Sequence, residues 1–196
     1  SVYFAIGRLP GYGRLSKVDL KGVKAGATVD LDYYEKDHPG DFTVMRRSDL
    51  GELRRRISWA TDWGQVRPGW HIECAAMARR YLGDTFDVHT SGKDLAFPHN
   101  ENENALCEGL TGRPMARYWV HSGLVTREGR KMSRSAGSAL TLRDLLDRGY
   151  TGSQVRWFLL GVHYRRPLDF GFEALDASCR ELARVDDLIR NLRQVR

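Results

Sequence analysis

Cys74, His99 and Glu103 offer a thiolate, an imidazole and a carboxylate, a ligand mix that suits zinc. They lie in two short stretches, Trp70-His71-Ile72-Glu73-Cys74 and Pro98-His99-Asn100-Glu101-Asn102-Glu103. His99 and Glu103 are four apart, so on a helix they share one face. Glu101 is two residues from His99 and faces away from it. Three protein ligands leave a tetrahedral zinc site one short. An open position marks a site that handles a substrate, where a closed one only staples a fold. Each residue also has a plainer reading. A lone cysteine is commonly a small buried hydrophobe, and a histidine and glutamate four apart make an ordinary helical pair.

Two further stretches can carry chemistry. In Gly92-Lys93-Asp94, a glycine after a strand lets backbone approach a nucleotide, and an aspartate can accept from ribose hydroxyls; a turn or helix cap reads equally well. In residues 129–137, the cations Lys131 and Arg134, with Arg130 beside them, and two hydroxyls (Ser133 and Ser135) lie between glycines. Such a loop can close over phosphates, or be a solvated basic loop or a kinase target.

These residues need elements to hold them. Residues 1–66 read as short strands, Val2 to Ile6, Thr28 to Tyr33 and Phe42 to Arg46, joined by turns at Pro10-Gly11-Tyr12-Gly13 and Pro39-Gly40-Asp41. The run Arg54-Arg55-Arg56 reads as a solvated face. From Pro68 the texture changes. Ile72 to Leu82 is expected as a helix stopped by Gly83, Thr85 to His89 as a strand, Pro98 to Leu110 as a helix, and Arg117 to His121 as a strand. Alternating helices and strands predict part of a parallel α/β sheet, whose ligands gather at carboxyl ends of strands. His89 and His121 are expected at such ends. Residues 126–138 are expected as a polar loop. Thr141 caps a short helix to Arg148, Gln154 to Val162 forms another, and apolar residues at 172, 175, 179, 182, 185, 189 and 192 predict a long amphipathic helix. Cys179 falls on that stripe.

The 196-residue length allows a real core, and 41% hydrophobic with 29% charged residues is ordinary for a globular chain. No apolar run approaches the roughly 20 residues that span a bilayer, and the start lacks a signal-peptide pattern. A net charge of +6 mildly favours a polyanionic partner. Three cysteines without close spacing argue for a reducing compartment over a disulfide framework. The chain starts at Ser1 and ends within a helical pattern, so both ends read as cuts through a longer protein.

Together the motifs resemble a known family. Lys-Met-Ser-Arg-Ser at 131–135 is similar to the KMSKS signature of class I aminoacyl-tRNA synthetases. Residues 69–77, 94–103, 116–123 and 163–170 resemble cysteinyl-tRNA synthetases specifically, and residues 10–16 resemble that family's connecting insertion. The resemblance covers nearly the whole chain. It implies an α/β fold: the C-terminal half of a Rossmann-like nucleotide-binding domain, followed by an α-helical stem-contact region. The implied segments are a remainder of the insertion (1–66), the second half of the catalytic domain (67–125), a mobile loop and stem-contact region (126–170), and the start of a helical domain (171–196).

The resemblance also implies roles. Cys74, His99 and Glu103 bind zinc, with a fourth ligand not found in this sequence, and the substrate's thiolate joins the metal. Zinc takes a soft thiolate far better than a neutral hydroxyl, so the metal distinguishes cysteine from serine where shape alone discriminates poorly. Trp70, His71 and His89 line the cysteine pocket. Gly92, Asp94, Lys131 and Arg134 bind ATP, with Lys131 and Arg134 stabilising charge on the phosphates. The implied partners are cysteine, ATP with magnesium, and tRNA(Cys); a cytoplasmic monomer without membrane contact is expected. The related cysteine ligase of mycothiol biosynthesis and a non-catalytic paralogue are the alternatives. Four departures stand out. The His-Ile-Gly-His signature is absent, Asn100 replaces a usual histidine, Thr90 and Ser91 replace usual glycines, and Arg134 replaces a lysine.

Overall fold

The computed structural model describes residues 1–22, 40–132 and 140–194. The strand expected at Thr28 to Tyr33, Pro39 of the expected turn, and Arg134 lie outside these described residues. Contacts divide the chain into two units, Ser1–Val120 and His121–Arg196.

In the first unit, β1 (Val2–Phe4), β2 (Phe42–Arg47), β3 (Trp59–Thr61) and β4 (Gly64–Pro68) form an antiparallel sheet in the order β1-β2-β4-β3. The β3–β4 hairpin and the short helix α1 (Leu50–Arg54) stand where sequence periodicity gave no element. Asp49 and Glu52 close a capping box around the start of α1. Arg54, Arg55 and Arg56 are exposed, as a solvated face requires.

Helix α2 (Trp70–Leu82) follows β4 directly. Its entry is tight. The N–H of Gly69 donates to the Val44 carbonyl at 2.8 Å, and a Cβ on Gly69 would lie 2.6 Å from the Thr43 carbonyl oxygen. Gly83 ends the helix at φ 89°, a conformation that suits glycine. Strand β5 (Phe86–Gly92) comes next. It runs beyond the expected end at His89, so that residue sits within the strand rather than at its carboxyl end. Thr90 and Ser91 are likewise strand residues, and extended backbone accepts them readily.

The helix expected from Pro98 is broken at its start. A wide turn, Ala96–Asn100, has Phe97 extended at φ −136°, ψ 136°. It runs into α3 (Glu101–Thr111), which stops at left-handed Gly112. Strand β6 (Ala116–Ser122) pairs with β5. Ala75 of α2, Cys107 of α3 and Met115 form one buried cluster, and Ile6, Tyr12, Phe42 and Ala105 another. Each large apolar side chain buried this way contributes about 1.5–3 kcal/mol.

In the second unit the expected loop at 126–138 is partly strand: β7 (Val125–Arg127) and β8 (Arg130–Lys131) make a hairpin. Thr141 and Thr151 cap α4 (Leu142–Asp147) and α5 (Gly152–Leu160) through capping boxes with Asp144 and Gln154. β9 (Leu168–Asp169) pairs with β7 in parallel. The long helix α6 (Phe172–Gln194) buries Leu175 and packs Phe172 and Cys179 against the cluster around Phe158 and Phe170. Farther along, Ile189 and Leu192 of the apolar stripe are exposed.

Candidate metal and substrate site

The ligating atoms of Cys74, His99 and Glu103 all lie within 4.8 Å of one another. Three elements bring them together. Cys74 stands in the second turn of α2, His99 in the wide turn before α3, and Glu103 in the first turn of α3. The break at Phe97 falls before both residues, and the four-residue spacing puts His99 Nε2 at 3.4 Å from Glu103 Oε1. Zinc bonds of about 2.0–2.3 Å give a tetrahedron with edges of roughly 3.3–3.7 Å. The His99–Glu103 edge already has that length, and a modest side-chain rotation closes the rest. His99 and Glu103 are buried, and Cys74 is half-buried. The three border a concavity of about 370 Å³, with His89, Ser91 and Asn100 also on its wall. A volume of that size admits a small metabolite.

The surroundings set the charge state. Burial pushes the Cys74 thiol above its usual value, and the Glu103 and Glu73 carboxylates add to the shift. Burial holds the His99 imidazole below its usual value, against the pull of Glu103. For Glu103, burial acts to raise the carboxyl. Hydrogen bonds from His89 and Asn100, with the adjacent imidazoles, outweigh it and hold the group below the ordinary range. A neutral imidazole and an ionised carboxylate are the forms a divalent cation takes.

His71 and His99 meet through their Nδ1 atoms at 2.9 Å. With a proton on His99 Nδ1 donated to His71, His99 Nε2 keeps its lone pair toward Glu103, the tautomer a metal ligand needs. Trp70 stacks on His99, with ring centroids 4.1 Å apart. His89 stacks on Trp119 at 4.4 Å and brings Nε2 to 3.5 Å from Glu103 Oε2. Its buried Nδ1 has no hydrogen-bond partner among the described residues.

Spacing did not reveal what the rest of the motif does. Glu101, fully buried, accepts from the backbone N–H groups of Gly13 at 2.8 Å and Ser16 at 2.6 Å. Asn102 accepts from the Tyr12 hydroxyl. These two residues fasten the 10–16 loop, while His99 and Glu103 point into the concavity. The pairing spans most of the unit's sequence, so no local signal betrays it.

Gly92 ends β5 with ordinary extended backbone, φ −72°, so conformational freedom is not what that position uses. Asp94 follows in a 3₁₀ turn, Lys93–Leu95. In the second unit, Lys131 is exposed on β8. Its hairpin is braced by Asp169, which accepts from the Thr126 hydroxyl at 2.6 Å and the Gly129 N–H at 3.1 Å.

Comparison with known proteins places relatives around this geometry. A family model described as "tRNA synthetases class I (C) catalytic domain" matches residues 1–180. A cysteine–tRNA ligase of Carboxydothermus hydrogenoformans is 46% identical over 195 residues, covering 100% of this chain and 41% of the relative. That of Methanosarcina mazei is 43% identical over 192 residues, covering 98% of this chain and 40% of the relative. The chain thus spans about two fifths of the length of the curated relatives it matches. Among solved structures, the LeuRS of Agrobacterium radiobacter K84, in a ternary complex with tRNA and LeuAMS, is similar over 74% of this chain and 22% of its own, with TM-score 0.51 and 18% identity. That likeness shows the α/β fold; the class I assignment comes from the family model.

Proposed function

The chain belongs to the class I (C) tRNA synthetase catalytic-domain family, and from that premise we propose that it works within an enzyme that activates cysteine with ATP and transfers it to tRNA(Cys). The observation that carries the reading is the convergence of Cys74, His99 and Glu103 within 4.8 Å beside a small concavity. Those three residues would hold zinc. Bound there, the metal supplies a Lewis-acidic position that takes a thiolate far more readily than a hydroxyl, which separates cysteine from serine.

The chain's own groups do the rest. His71, accepting from His99 Nδ1 across their 2.9 Å contact, would hold His99 in the tautomer that leaves Nε2 free for the metal. Trp70 holds the same ring flat from one side. His89 lines the concavity and is backed by the stacked Trp119, which would hold it in place to limit the space for the amino acid. Gly92 and Asp94, at the end of β5, serve the nucleotide through backbone and carboxylate. Lys131 and Arg134 supply positive charge to the phosphates as pyrophosphate leaves. Among the described residues no helix is long and apolar enough to cross a membrane. A cytoplasmic monomer is part of the proposal on the family resemblance alone.

Cysteine-dependent exchange of pyrophosphate into ATP by the native protein, followed by charging of tRNA(Cys), tests the reading. Exchange without tRNA charging would redirect it to a ligase with another acceptor. Absence of exchange would remove the catalytic reading altogether.

A further inference from the structure

The carboxylate of Glu103 has two oxygens in different company. Oε1 faces His99 Nε2 at 3.4 Å. Oε2 accepts from Asn100 Nδ2 at 2.8 Å and lies 3.5 Å from His89 Nε2. Asn100 is itself completely buried. Its Oδ1 lies 2.6 Å from the Ser91 hydroxyl, which is 3.4 Å from the Gly92 carbonyl. A carboxylate only accepts, so the amide must present its N–H₂ end to Glu103. That leaves Oδ1 toward Ser91, whose hydroxyl proton goes to this much shorter contact. Turning the amide over would set Oδ1 against the carboxylate and break both hydrogen bonds at a buried position, at a cost of more than one ordinary hydrogen bond.

We infer that Ser91 and Asn100 are a coupled positioning pair that engages Oε2 of Glu103 and so presents Oε1 alone to the metal. The inference rests on the metal reading of Cys74, His99 and Glu103. It gives one physical cause to two residues, Ser91 and Asn100, that the resemblance marks as departures and that look unrelated in the sequence. A ring N–H at position 100 can donate to Glu103 without help. An amide can point either way, so it needs a donor at position 91 to set it. Glycine at 91 has no hydroxyl to give. Ser91 lies on β5 and Asn100 in the turn before α3, so the pair also ties that turn to the strand.

Cobalt(II) titration of the full chain, carried to millimolar free metal, tests the pair. The thiolate charge-transfer band reports Cys74, and the visible ligand-field bands report coordination number. Wild type should develop both, and Cys74→Ala should lose the charge-transfer band. Ser91→Ala and Asn100→Leu should each weaken binding by about tenfold or more. They should also dim the ligand-field bands as Glu103 offers both oxygens. The double variant should bind no more weakly than Asn100→Leu alone, the signature of coupling. Asn100→His should retain affinity and no longer respond to Ser91→Ala. If Asn100→Leu does not fold, Ser91→Ala and the Asn100→His pair still decide the matter. Loss of the band in Cys74→Ala with wild-type binding by Ser91→Ala overturns the positioning pair alone. Equal binding by wild type and Cys74→Ala, or none by either, overturns the metal reading and the pair with it.

Discussion

The indole of Trp70 lies against the imidazole of His99 with planes 21° from parallel and ring centroids 4.1 Å apart. Trp70 remains 56% exposed, so the indole covers His99, which lines the concavity, while keeping much of its own surface open. This geometry predicts a binding defect more than a folding defect. Trp70→Ala should raise KM for cysteine several-fold, with kcat much less affected, and lower stability by only about 1 kcal/mol. Trp70→Phe should recover most of the KM change. Steady-state ATP–pyrophosphate exchange measures it, and an unchanged KM would remove Trp70 from the proposed substrate pocket.

Glu101 predicts the opposite pattern. Its buried carboxylate accepts from two backbone N–H groups of the 10–16 loop. Glu101→Ala strands both donors and should destabilise the chain by about 3 kcal/mol. Urea unfolding reads this directly, and a loss below 1 kcal/mol would mean that water replaces the carboxylate.

Gly69 has no room for a methyl group, because a Cβ there meets the Thr43 carbonyl oxygen at 2.6 Å. Gly69→Ala should push the start of α2 away from β2, at a cost of about 2 kcal/mol. Since α2 carries Trp70, His71 and Cys74, metal affinity should fall together with the melting temperature. A fall in the melting temperature alone would show that the site tolerates the shift.

Asp169 gives a pH dependence. The Thr126 hydroxyl, and next the Gly129 N–H, hold its carboxyl below the usual aspartate range. The folded value lies below the unfolded one. Its stabilising contribution is therefore complete above the unfolded pKa and is lost as pH falls through the folded value. Hydrogen exchange at the Gly129 amide should accelerate relative to neighbouring amides as the solution is acidified through that window. Asp169→Asn should abolish the dependence, and a pH-independent protection ratio would refute the assignment.

Much of this was legible in the sequence. Gly83 and Gly112 stop α2 and α3 where the apolar periodicity ends, and Thr141 caps α4 as expected. The His99–Glu103 pairing was readable because the break at Phe97 falls before both residues and leaves their four-residue spacing helical. Other features depend on distant partners. Thr90 and Ser91 look like loop residues until β6 gives β5 a neighbour. The β3–β4 hairpin carries no period-two pattern, since Trp59 and Ala60 are both exposed. Charge type alone did not separate the three glutamates nearest the site. Glu103 faces the concavity and Glu101 faces the loop, while Glu73 on α2 adds to the Cys74 shift without being one of the three clustered ligands.

The first turn of α3 therefore serves two clients at once. One side aims Glu103 into the concavity, and the other side grips a loop that begins about ninety residues earlier in the chain. A lesion in that loop, at Tyr12 or Gly13, would loosen the turn from behind and surface as poor ligand alignment. The 10–16 loop is in this sense a remote part of the proposed metal centre, and variants there will be misread as harmless if only Cys74, His99 and Glu103 are inspected.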